Sequence, residues 1–135
     1  MAGTVEFELV SPERLLLSEQ VAMVVVPGEE GNFGVLPGHA PLISTVRPGV
    51  IDVYASRAEV SSRIFVAGGF AEVTPDRCTV LAEQAVAVGD IDRSKVESDL
   101  KDAREDLADA EKDEERTDAQ RRIAIAEALL EAAQS

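Results

Sequence analysis

The chain has 135 residues, 45% of them hydrophobic, and 26 acidic against 13 basic side chains give a formal net charge of −13. That length holds one ordinary domain, or a small domain with an appendage. A polyanion of this kind is repelled by nucleic acid and by anionic lipid, and a single cysteine excludes both an internal disulfide and a cysteine metal cluster. The plain reading of the charge is solubility; the functional one is an acidic surface that meets a basic partner.

The N-terminal MAGTVEFELV has neither the basic region nor the apolar core of a signal peptide, and no apolar run reaches the ~20 residues of a membrane helix. A cytosolic location is therefore expected. In TVEFELV, Val5, Phe7 and Leu9 alternate with Glu6 and Glu8, the period of a half-buried strand. Strand-like runs continue with RLLLS, QVAMVVV, LISTV, GVIDVYA, RIFVA, GFAEVT, RCTVLAE and QAVAV. Breakers separate them at Ser11-Pro12, Pro27-Gly28, Pro37-Gly38, Pro48-Gly49, Gly68-Gly69 and Pro75-Asp76. Turn signals this dense, with no helical stretch between, predict an antiparallel sandwich or barrel over residues 1–88. Cys78, inside RCTVLAE, is expected to be a small buried hydrophobe.

The segment GEEGNFGVLPGHAPLIS, residues 28–44, puts glycines at 28, 31, 34 and 38. A phosphate-binding loop would lead into a helix, usually with Lys-Ser/Thr at its start; here carboxylates stand where phosphates would sit, and Val35-Leu36-Pro37-Gly38 starts no helix. Turn chemistry explains the spacing better. Gly31, Gly34 and Gly38 permit positive φ, Pro37 presets a turn before Gly38, and the backbone is expected to fold back in successive tight reversals with Phe33 and Val35 anchored inward. Glu29-Glu30-Gly31-Asn32 then forms an acidic tip on a stiff base. His39 is the only histidine, so it cannot join another in a metal site, and no positioned nucleophile lies near it. Its expected role is a ring bonded to nearby backbone. Most carboxylate pairs, such as Glu105-Asp106 and Asp113-Glu114-Glu115, fall on the predicted solvated helix face or bend, so no catalytic constellation is visible.

At Gly89-Asp90 the period changes. Val96, Leu100, Ala103, Leu107 and Ala110 step by heptads along one helix face, and Ala119, Ile123, Ala126, Leu130 and Ala133 do so along a second. Ser94–Glu97 offers a capping box with Asp92 as a competing cap, and Thr117–Gln120 offers another after the break at KDEER, residues 112–116. Two such seams predict an antiparallel helical hairpin over 89–135. Ile125, Leu129 and Ala132 form a second stripe that one partner helix cannot cover, so either the β region or another protein should cover it. A pair of helices this short is marginal alone, which makes it the expected mobile element. The fold class is thus α+β: a β-sandwich of about ten strands in two sheets, then a two-helix hairpin.

Taken in order, GVLPGHAPLIS (34–44), RPGVI (47–51), GGFAEV (68–73) and the Asp90-Ile91-Asp92 lead into the helices resemble the ε subunit family of bacterial F-type ATP synthases over essentially the whole sequence. The resemblance implies a non-catalytic rotor piece of the central stalk, without cofactor, at the cytoplasmic face of the bacterial plasma membrane as a peripheral component. It implies binding to the γ subunit and the c-subunit ring, with contacts to α and β through the C-terminal helices as a further option. It assigns Glu29, Glu30, Gly31 and Asn32 to the ring. His39, Ala40, Pro41, Leu42, Ser44, Arg77, Thr79 and Leu81 are assigned toward γ. Some relatives bind ATP in the folded hairpin through Ile/Leu-Asp-x-x-Arg-Ala. Here Ile91, Asp92 and Lys95 are a degenerate remnant, with lysine for the arginine and Val96 for the alanine, so nucleotide binding is not expected. After Arg122 no basic residue follows, so an extended inhibitory form would be weak and at most mild inhibition of ATP hydrolysis is expected. The competing readings are a β-sandwich binding module with a helical oligomerisation tail, and a hydrolase using His39.

Overall fold

The computed structural model describes residues 3–134; the ends of the predicted segments at Met1, Ala2 and Ser135 lie outside them. Ten strands come first: β1 (Val5–Val10), β2 (Leu15–Val21), β3 (Met23–Gly28), β4 (Gly31–Val35), β5 (Leu42–Val46), β6 (Gly49–Ser56), β7 (Glu59–Val66), β8 (Gly69–Val73), β9 (Arg77–Ala82) and β10 (Ala85–Ala87). A 3-10 turn at Val88–Asp90 precedes α1 (Arg93–Asp109) and α2 (Asp113–Gln134). The protein divides into two compact units, Met1–Ala87 and Val88–Ser135.

Within the first unit the strands make two layers. One runs β4–β3–β6–β7–β10 and the other β5–β8–β9–β1–β2, and a single register pair, Gly28 with Val46, links them. Alternation decides which side chains meet between the layers. Val5, Phe7 and Leu9 of β1 point inward, as the sequence predicts, and join Val24, Val26, Ile51 and Val53 of the other layer in one buried cluster. Each such residue contributes roughly 1.5–3 kcal/mol by leaving water. Cys78 sits in that cluster as a hydrophobe, and burial pushes its thiol from the ordinary 9.0 up to about 12.

Three details of this unit differ from the sequence reading. QVAMVVV is not one strand: the backbone turns at Ala22, whose N–H donates to the Tyr54 carbonyl at 2.9 Å, and β2 and β3 enter different layers. Residues 31–35, expected as successive reversals, form strand β4 paired to β3. Gly31 and Gly38 do take positive φ, +134° and +83°, but Gly34 is an extended strand residue. One pair in the otherwise antiparallel sandwich is parallel, β1 with β9.

In the second unit α1 and α2 pack together through Val96, Leu100 and Ala126, with Ile91, Ile123, Leu129 and Leu130 against them. Leu129, placed off the seam by the heptad count, thus packs into the hairpin. Two cross-links support the pairing: Arg104 with Glu127 at 3.3 Å, and Arg122 with Asp106 at 2.9 Å. Bonds to Asp118 and then Asp106 raise the Arg122 pKa. Asp92, not Ser94, caps α1, accepting from the Lys95 N–H at 3.2 Å. The second helix starts at Asp113, upstream of Thr117. Glu115 reaches back to the Glu111 and Lys112 N–H groups at 3.2 and 3.0 Å, and three carboxylates in the first turn complement its dipole. KDEER therefore opens the helix rather than breaking it.

Candidate functional site: two neighbouring surfaces of the sandwich

The β3–β4 hairpin carries the acidic tip. Gly28 pairs with Gly31, so Glu29 and Glu30 are the two loop residues, and both are exposed. A Cβ at Gly28 would stand 2.8 Å from the Gly31 carbonyl oxygen and 2.9 Å from the Phe33 ring, so the tight reversal needs glycine there. Among the described residues no ion pair is made by Glu29 or Glu30, and both residues are exposed. The loop is tied down by backbone instead: Glu29 N–H donates to the Thr45 carbonyl at 3.0 Å. Gly31, Asn32 and Phe33 line a groove of about 470 Å³ whose opposite wall is Leu42–Thr45 of β5.

The second surface is the outer face of the β5–β8–β9–β1–β2 layer. Strand register sets Thr45, Phe70, Leu81, Val10 and Leu15 in one row across all five strands. The next row is Ile43, Glu72, Thr79, Glu8 and Ser18. Large apolar side chains stand in water here: Ile43 is 73% exposed, Phe70 58%, Leu15 55% and Leu81 44%. Single exposed apolar residues are ordinary; four on one sheet face mark a contact surface. Beyond the band the face is polar and partly neutralised, with Glu72 exposed on it as well. Arg77 meets Glu6 at 3.3 Å and Glu8 at 3.7 Å, and the Thr79 hydroxyl donates to Glu8 at 3.2 Å.

The structure divides the residues that the resemblance assigns toward γ. Arg77, Thr79 and Leu81 lie on the outer face. Leu42 and Ser44 occupy the opposite register, level with Val73 and Ala71, and line the groove beside the acidic tip. The Ser44 hydroxyl donates to the Thr45 carbonyl at 3.0 Å. His39, Ala40 and Pro41 form the approach to β5. Leu36–His39 has the pattern of a type II turn, with Pro37 second, Gly38 third and the His39 N–H closing on the Leu36 carbonyl at 3.1 Å. The His39 ring donates from Nδ1 to the Ala40 carbonyl at 2.7 Å, the backbone role expected for it. Sequence reasoning does not single out Ile43, Phe70 and Leu15. A signal is present for Ile43 and Phe70, each a large apolar residue out of phase with the buried positions of its own strand; Leu15 is in phase with Leu17 and Val21, and the β-bulge at Leu9/Val10 brings it beside Val10.

The remnant residues of the helical unit are used for structure. Asp92 caps α1, Ile91 packs on the hairpin, and Lys95 donates to Asp99 at 2.9 Å, a bond that raises its pKa.

Comparison with known proteins settles the family. Residues 4–88 match the model for the β-sandwich domain of the ATP synthase delta/epsilon chain, and residues 92–135 match that for the C-terminal domain of the ATP synthase epsilon chain. The protein belongs to the ATP synthase epsilon chain family. It is 58% identical over 132 residues to the epsilon chain of Rhodospirillum rubrum, covering 98% of both sequences. It is 57% identical to that of Rhodospirillum centenum, covering 97% of this sequence and 92% of the relative. A subunit in the mitochondrial ATP synthase of Euglena gracilis, solved with OSCP, F1 and the c-ring, superposes with a TM-score of 0.82 at 26% identity, covering 98% of this protein and 82% of that one. An epsilon chain is a stalk subunit of a membrane-associated synthase and not one of its catalytic subunits. No helix among the described residues is long and apolar enough to cross a membrane, so attachment through the complex is consistent.

Proposed function

We propose that this epsilon-family protein couples the c-subunit ring to the γ shaft in the central stalk of a proton-translocating F-type ATP synthase. It acts by shape and adhesion and makes no bond. The outer band of Ile43, Phe70, Leu81 and Leu15 seats γ, while the Glu29-Glu30-Gly31-Asn32 tip stands on the ring. The observation that carries the reading is the match of both halves to epsilon-chain families together with an apolar band on an otherwise charged protein. Burying that band supplies adhesion, and the acidic tip supplies register through charge complementarity with basic or amide groups. The complex then lies at the cytoplasmic face of the membrane, with this subunit peripheral. The helical hairpin regulates ATP hydrolysis mildly at most, since after Arg122 it presents only acidic charge, at Glu127 and Glu131.

The test is Phe70→Glu combined with Leu81→Glu. Co-purification with γ should weaken at least about tenfold, as expected for central apolar anchors, while the thermal midpoint of the isolated protein stays within a few degrees. Unchanged affinity would remove the outer face from the γ contact.

A further inference from the structure

The acidic tip is not held by its own strand pairing alone. A two-residue hairpin loop with glycine on either side is loose by composition, and two adjacent carboxylates repel each other. Its support comes from Arg47, in the corner between β5 and β6. The Arg47 guanidinium donates from Nη1 to the Gly28 carbonyl and from Nη2 to Asn32 Oδ1 at 2.7 Å, one acceptor on each strand of the hairpin. The same residue's backbone N–H donates to the Pro27 carbonyl at 2.9 Å, and two residues earlier the Thr45 carbonyl accepts from Glu29 N–H at 3.0 Å. Thr45 stands in the same register row as Phe70 and Leu81. The stretch Thr45–Arg47 is therefore the direct link between the tip and the apolar band.

We propose that Arg47 is the positioning residue of the acidic tip, a strut that makes the tip and the outer band one rigid body. A planar fork presents two N–H groups to the two acceptors in fixed geometry; a lysine ammonium is a point donor on a flexible stem and reaches them less well. A rotor coupling that gives at this corner dissipates displacement between its two contacts. The functional half of the proposal rests on the tip standing on the ring, so the experiment separates the two.

Arg47→Ala, Arg47→Lys and Asn32→Ala are compared with Glu29→Lys/Glu30→Lys. Amide exchange at 28–32 is measured in the isolated protein, and proton pumping per ATP hydrolysed in membranes rebuilt with each variant. Arg47→Ala should speed tip exchange about tenfold or more and lower pumping per ATP about twofold or more, with γ co-purification unchanged. Arg47→Lys should fall between it and the parent, and Asn32→Ala, which removes one of the two acceptors, should do the same. Tip exchange unaltered by Arg47→Ala overturns the strut. A looser tip with undiminished pumping, while the double charge reversal lowers pumping, overturns its role in coupling and leaves the ring contact standing. If the charge reversal also has no effect, the ring contact itself is lost, and the role in coupling with it.

Discussion

At Gly69 a side chain has no space. Its φ is +142°, and a Cβ there would lie 1.9 Å from the Leu81 carbonyl oxygen. The close approach of β8 to β9 brings Phe70 and Leu81 side by side, so this glycine builds the band without belonging to it. Gly69→Ala should lower stability by more than about 2 kcal/mol, because backbone must move and the φ is strained as well; chemical denaturation measures it. Cys78 gives a second residue-level test. Its buried thiol stays protonated to about pH 12, whereas in the unfolded state it ionises near 9. The folded pKa is the higher one, so the contribution to stability is complete below pH 9 and is lost as pH rises toward 12. Cys78→Ala, measured across that range, should flatten this part of the alkaline fall. Thiol labelling of the native protein at about pH 8 should be slow, because burial leaves almost no thiolate exposed.

Among the elements, the helices show how local chemistry sets boundaries. Ser94 and Asp92 compete to cap α1, and Asp92 wins because its side chain reaches the Lys95 N–H from extended backbone, φ −90° and ψ 100°. Asp92→Ala should cost about 1 kcal/mol of helical-unit stability, and Ser94→Ala much less; thermal melting of the two variants distinguishes them. Thr117–Gln120 has the letters of a capping box, yet it lies in the second turn of α2 because Glu115 has already satisfied the upstream N–H groups. The surface ion pairs of the hairpin are exposed, so they guide pairing more than they stabilise it.

For the whole molecule, two compact units of different character share one polypeptide. The β unit buries a continuous core of large apolar side chains. The helical unit is held by a smaller cluster centred on Val96, Leu100 and Ala126, and it is the part expected to move. Removing residues 92–135 should leave a folded β unit that still binds γ, and should raise ATP hydrolysis by the complex less than about tenfold. A larger rise would make the hairpin a strong inhibitor despite its acidic end.

Sequence alone was enough for the two-period division, the inward face of β1, the hairpin seams and the acidic tip, because alternation, heptad spacing and glycine turns are local signals. Family resemblance, carried by PGHAPLIS and the PG and GG blocks, supplied the partners. Tertiary structure alone decided what depends on register between strands far apart in sequence. It put Leu15, Ile43, Phe70 and Leu81 on one face, turned Leu42 and Ser44 to the other, and set Arg47 across the base of a hairpin whose nearer strand ends well upstream at Val35. A strand's own pattern says which residues alternate; only the neighbouring strands and the covering layer determine which of the two faces stays wet.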